Sequence, residues 1–161
     1  MIVKMKGEHP DFKMPLQASE EAAGSDVYAT EIIKESEDTV LVKLGFSVEF
    51  PKEFRLMFTP RSSFTKTKWI LQNSPGIGDA DYRGEYMLRF RALPVGIKIV
   101  DFPEQDARKF KLEYPEFPYK EGERVAQMYF AQAIKTSFEI IKGDLSETER
   151  GSGGFGSTGN S

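Results

Sequence analysis

The stretch Thr39 to Phe50, TVLVKLGFSVEF, has a period of two. Val40, Val42, Leu44, Phe46, Val48 and Phe50 fall on one side, and Leu41, Lys43, Gly45, Ser47 and Glu49 on the other. Only an extended backbone puts alternate side chains on one face, so this stretch reads as a half-buried strand closed by the turn at Pro51-Lys52. Similar runs recur along the chain: IVKMK, DVYATEII, FRLMFT, WILQ, EYMLRFRAL, GIKIVDF, RVAQMYFAQAI and SFEIIK. No segment carries a 3.6-residue period with caps over twelve residues, and SEEAAGSD offers at most one helical turn before Gly24. Many short strands separated by Gly, Pro and Asp turns predict an all-β sandwich or jelly roll.

With 161 residues the chain suits one domain. A net charge of −3 and a pI near 5.4 argue against coating DNA or a membrane surface, although a local cationic pocket remains compatible. The absence of cysteine removes disulfide and thiolate-metal designs. No N-terminal apolar core and no window near the ~20 apolar residues of a membrane span are present, so a soluble cytoplasmic protein is expected. Residues 101–123, rich in proline and charge, read as a long surface loop or insertion. The last twelve residues, RGSGGFGSTGNS, hold five glycines and only Phe155 as an apolar anchor, which predicts a flexible arm.

Polar residues concentrate in five places: AAGSDVYAT, PRSSFT, NSPGIGDADYRGEY, ERVAQMYF and the tail. Singly each has an ordinary reading: Asp26 suits a turn, Arg61 a solvated position, Gln127 the outer face of a strand. Their order resembles the five motifs of the homotrimeric deoxyuridine triphosphatase family, from about residue 16 onward. These are Ala23-Gly24-x-Asp26, Pro60-Arg61-Ser62-Ser63, Gly76-x-x-Asp79-x-Asp81-Tyr82-x-Gly84-Glu85, Arg124-x-Ala126-Gln127, and Arg150-Gly151-x-Gly153-Gly154-Phe155-Gly156-Ser157-x-Gly159.

The resemblance implies a jelly-roll-like distorted β-barrel over residues 1–145, and an arm, 146–161, that closes over a site built by several subunits of a homotrimer. The implied reaction is dUTP plus water giving dUMP and pyrophosphate, which limits uracil in DNA. Asp79 would be the catalytic base, although residue type alone does not separate it from Asp81. Carboxylates are ionised at neutral pH, which suits the task; the lone His9 lies outside every motif. Arg61, Ser62, Ser63, Gln127, Arg150, Gly156 and Ser157 would handle phosphates, with no P-loop pattern present. Asn73, Gly76, Tyr82, Met87 and Phe155 would hold uracil and deoxyribose. Mg²⁺ would arrive with the triphosphate, with Asp26 in its outer shell through water.

Two departures from the family pattern stand out. Gly78 replaces the usual aliphatic residue before the catalytic aspartate, which predicts a looser hairpin. The span from Tyr82 to Arg124 is longer than usual, which places the 101–123 segment as an insertion used in trimer packing or in binding a protein partner, as in some phage relatives. A dCTP deaminase of the same fold and a dUTP-sensing regulatory protein are the alternative functions.

Overall fold

The computed structural model describes residues 1–102 and 107–153. Phe155, Gly156 and Ser157 lie outside these residues. Among the described residues, thirteen β-strands and one short 3-10 turn account for the regular structure. One sheet has the order β2 (Leu16–Gln17), β3 (Ser25–Tyr28), β13 (Arg124–Gln132), β7 (Phe54–Thr59) and β9 (Gly76–Gly78). A second runs β4 (Glu31–Lys34), β5 (Thr39–Lys43), β10 (Met87–Ala92) and β8 (Trp69–Leu71). Two further pairs stand apart, β1 (Lys4–Gly7) with β6 (Phe46–Glu49) and β11 (Gly96–Phe102) with β12 (Ala107–Glu113). The described pairings are antiparallel, and the strands divide among four sheets within one all-β, jelly-roll-like architecture.

The period-two pattern fixes which side chains meet between the sheets. Val40, Val42, Leu44, Phe46, Val48 and Phe50 are all buried, alongside Leu56 and Phe58 of β7, Phe90 of β10 and Val125 of β13. The stretch is nevertheless two strands in two sheets. Gly45 interrupts it with φ +71, a left-handed conformation that other residues adopt at a cost. A Cβ at Gly45 would also lie 2.5 Å from Thr30 Cγ2, so the break needs glycine for room as well. DVYATEII divides in the same way: Ala29 N–H donates to Glu123 O and Thr30 N–H to Lys43 O, and the chain crosses from one sheet to the other.

Two expectations are corrected. Residues 101–123 are not a loop throughout: β11 and β12 form a two-stranded hairpin with Ile97 opposite Leu112 and Ile99 opposite Phe110. Beyond it, Phe117 packs on Trp69 and Phe90, and Tyr119 stacks on Phe64 at 5.2 Å. The core therefore holds the end of the segment by aromatic contacts that its proline and charge content obscured. SFEIIK, expected as a strand, is unpaired, with Phe138 and Ile140 93% and 96% exposed. Its alternation is that of a strand, and the described residues of one chain offer it no partner.

Candidate active site

The central sheet gathers three of the polar stretches at one end. Gln127 of β13 lies opposite Asp26 on β3 and opposite Thr59 on β7. Pro60 leads out of β7 into Arg61 and the 3-10 turn Ser62–Lys66, whose buried Phe64 anchors it to the core. The turn leaves Ser62 exposed while Ser63 Oγ lies 3.0 Å from Tyr119 Oη. Gln127 is half-buried on its strand.

Asp26 organises this end. Its side chain is buried, and its two oxygens receive Arg61 Nε at 3.1 Å and Arg124 Nη1 at 3.0 Å. Arg61 Nη1 also donates to the Arg124 carbonyl at 3.3 Å. A buried carboxylate is tolerated only when charge and hydrogen bonds compensate it, and here two guanidinium groups do so. Arg61 and Arg124 line an open depression of about 390 Å³ with Tyr28 and Tyr119, a concave surface bearing fixed cations. Asp26 thus acts first as an anchor for arginines. Arg124, quoted within a motif but given no role from sequence, is the partner that sequence reasoning missed, and Tyr119 had no local signal at all.

The other stretch, Asn73 to Leu88, forms the opposite edge. Gly76 pairs with Phe58 and Gly78 with Leu56, so β9 runs away from Thr59 and delivers Asp79 to the far end of β7. At roughly 3.4 Å per residue, that separates Asp79 from the arginine cluster by more than about 10 Å along the strand. Asp79 and Asp81 are exposed and line a depression of about 750 Å³ with Lys52, Arg55 and Arg83. Asp79 also borders a smaller hollow of about 240 Å³ with Tyr82, Tyr86 and Met87. Tyr82 is held in place: its hydroxyl donates to Glu85 O at 3.1 Å, and its ring meets Tyr86 edge-on at 5.1 Å. Glu85 in turn accepts the Gly45 N–H at 3.0 Å, tying the hairpin to the point where the chain changes sheets. Asn73 is exposed at the start of the hairpin, just before the cis Ser74–Pro75 peptide. Burial pushes the Tyr86 phenol up to about 12, with the nearby Tyr82 and Asp79 adding to it, so this hydroxyl stays protonated.

One chain therefore brings Asp26, Arg61, Ser62, Ser63 and Gln127 together, brings Gly76, Asp79, Tyr82 and Met87 together, and keeps the two groups apart. None of these three depressions combines them. Arg150 lies exposed in neither group, its Nε donating to Gly153 O at 2.9 Å. His9 accepts the Asp11 N–H in an N-terminal turn, outside both. Among the described residues no cluster of three or more His, Cys, Asp or Glu stands ready to hold a metal ion.

An all-β fold with an arginine-lined hollow at one end of a sheet and a carboxylate hairpin at the other defines the class, and comparison with known proteins defines the family. Solved structures with the same fold include a G164S mutant of the dUTPase of Staphylococcus bacteriophage 80alpha with dUpNHpp, with a TM-score of 0.76 at 21% identity over 99% of both chains. Another is a dUTPase variant from phage phi11 of S. aureus, described with a structural Mg(II) ion, with a TM-score of 0.68 at 17% identity over 89% of this chain and 98% of that one. Among curated relatives, the deoxyuridine 5'-triphosphate nucleotidohydrolase of Clostridium tetani is 34% identical over 98% of this chain and 96% of its own length. That of Leptospira interrogans is 32% identical over 93% of each. The dUTPase family model matches residues 10–95. The chain belongs to the dUTPase family.

No helix in the described residues is long and apolar enough to cross a membrane.

Proposed function

We propose that this protein hydrolyses dUTP to dUMP and pyrophosphate at sites shared between the subunits of a homotrimer. The observation that carries the reading is the division of four of the five motifs into two groups at opposite ends of one sheet. A second copy placing its arginine end against the Asp79 hairpin would restore one constellation. The exposed apolar residues Ile134, Phe138, Ile140 and Leu145 support association, because an unpaired strand-like segment of this kind is stabilised by pairing with another chain.

In the assembled site, Asp79 takes a proton from a water that attacks the α-phosphorus in line. The bond to the bridging oxygen breaks, and pyrophosphate leaves with that oxygen. Ser62, the Ser63 amide and Gln127 bind phosphate oxygens. Arg61, oriented by Asp26, lends a fixed positive charge that needs no reorganisation during reaction. Arg150 grips the terminal phosphate, and the arm bearing Phe155, Gly156 and Ser157 covers the base and excludes water. The donor set fits an ion borne by the substrate better than a resident one: Asp26 spends a lone pair of each oxygen on an arginine and retains others for water. Mg²⁺ bound to the triphosphate would neutralise its charge, with Asp26 reaching it through water.

Selectivity lies in the hairpin. Asn73 and the backbone from Gly76 onward offer fixed groups to the uracil edge, and Met87 borders the hollow beside them. The immobilised Tyr82 ring packs on deoxyribose and leaves no space for a 2′-hydroxyl. The test is pyrophosphate and ammonia release from dUTP, UTP, dCTP and dTTP with Mg²⁺. The expected result is turnover of dUTP at least ~10²-fold above the others, without ammonia. Equal use of UTP would reject the role given to Tyr82, and ammonia from dCTP would make the protein a deaminase.

The β11–β12 hairpin favours an added role in protein contact. Ile97, Ile99, Phe110 and Leu112 leave its apolar cross-strand pairs exposed. Replacing Ile97 and Phe110 by serine is expected to leave dUTP turnover unchanged while abolishing capture of a protein partner. If assembly fails instead, the hairpin serves subunit packing.

A further inference from the structure

Glycine at position 78, immediately before Asp79, is not required by the backbone. It is a strand residue paired with Leu56, and it is absent from the positive-φ glycines of the described chain. What it provides is space. A Cβ at this position would lie 2.7 Å from Tyr86 Oη and 2.8 Å from Tyr86 Cε1, closer than real Cβ contacts allow. Tyr86 is only 7% exposed, and its ring meets Phe58 at 5.3 Å, Tyr82 at 5.1 Å and Phe46 at 5.9 Å. Its backbone is fixed as well, N–H to Phe46 O and C=O from Leu44 N–H, both at 3.0 Å.

The hydroxyl of this tyrosine has no hydrogen-bond partner, alone among buried side-chain polar atoms of the described residues. A buried polar atom left unpaired is a cost, so the position gains from the ring rather than from a polar contact. We infer that Tyr86 is a positioning residue for Asp79: its phenol fills the notch above which Gly78 passes, and the two positions together set the height of the hairpin that carries Asp79 and Tyr82. The hairpin is therefore close-packed, and the looseness expected from a glycine before the aspartate does not arise. This inference rests on the assignment of Asp79 as the base.

The experiment is a double-mutant cycle read in kcat, KM and Tm. Gly78→Val forces the strand off the ring, and displacements near 1 Å can cost up to ~10²-fold in rate, so kcat is expected to fall about 30- to 100-fold, more than KM rises. Tyr86→Val leaves a cavity under the hairpin and should lose about tenfold in kcat and several degrees in Tm. The double variant, with one side chain refilling the space vacated by the other, is expected within about threefold of the parent. Tyr86→Phe keeps the ring and should rescue both kcat and Tm. Penalties in the double variant equal to the product of the single ones would overturn the pairing, as would a tenfold loss in Tyr86→Phe. Should the parent fail to cleave dUTP, the functional reading fails by itself, while non-additive Tm values would still establish the packed pair.

Discussion

Replacing Asp79 by asparagine is expected to lower kcat for dUTP by roughly 10²–10⁴-fold, the range that a positioned general base contributes. The amide is isosteric but cannot take a proton from water. The structure makes the substitution a clean one. Asp79 is exposed at the tip of the β9 edge, and its carboxylate makes no hydrogen bond or ion pair among the described residues. Its local structural bond, Tyr82 N–H to the Asp79 carbonyl at 3.2 Å, belongs to the backbone and survives. Nucleotide affinity and Tm should therefore stay near the parent values while turnover disappears. Asp81 lies in the same depression and shares its chemistry, so Asp81→Asn is the necessary comparison. A small effect at Asp81 with a large one at Asp79 assigns the base; the reverse result would exchange them.

The apolar face of this fold is legible in the sequence, and its sheet membership is not. All six period-two positions from Val40 to Phe50 are buried, as the alternation requires. Alternation says nothing about which neighbour a strand hydrogen-bonds. The pattern therefore runs through Gly45 unbroken although β5 pairs with β10 and β6 with β1. SFEIIK shows the converse: a strand pattern is a statement about side chains, and the pairing it demands is missing among the described residues of one chain. β11 is legible as GIKIVDF, whereas the charges of ARKFKLE hide the apolar positions of β12 that pair with it.

The candidate site divides in the same way. Residue types with a chemical signature, Asp79, Arg61 and Gln127, could be named from motifs. The groups that hold them in place come from far along the chain. Asp26 finds its arginines 35 and 98 residues away, and Ser63 finds Tyr119 56 residues away. Tyr86 reads in the sequence as one more residue of the EYMLRFRAL run; in the structure it stands just before β10, where the missing side chain of Gly78 gives its ring a place to lie. Sequence displays what a residue can do, whereas support from a distant residue appears only when the sheets are assembled.

Mixing two inactive variants tests the shared site directly. Asp79→Asn removes the proposed base near one end of β7, and Arg61→Ala removes the oriented cation at the other end of the same sheet. Each variant alone should be inactive or nearly so, Arg61→Ala losing about 10²-fold or more by loss of preorganised charge. If every site takes its hairpin from one subunit and its phosphate end from another, random exchange after partial unfolding gives roughly a quarter of sites with both intact groups. Activity should rise from near zero to about a quarter of the parental value, in step with the appearance of mixed trimers by native mass spectrometry. A site confined to one chain predicts no recovery, since every subunit in the mixture carries one defect. A failure of recovery with mixed trimers present would thus return both groups to a single protomer, which the geometry of β7 opposes: Leu56 pairs with Gly78 beside Asp79, whereas Thr59, three residues further on, leads into Arg61. The chain would have to fold β9 back on itself to bring the two together. The recovery is therefore expected from the register of three strands, before any appeal to the relatives.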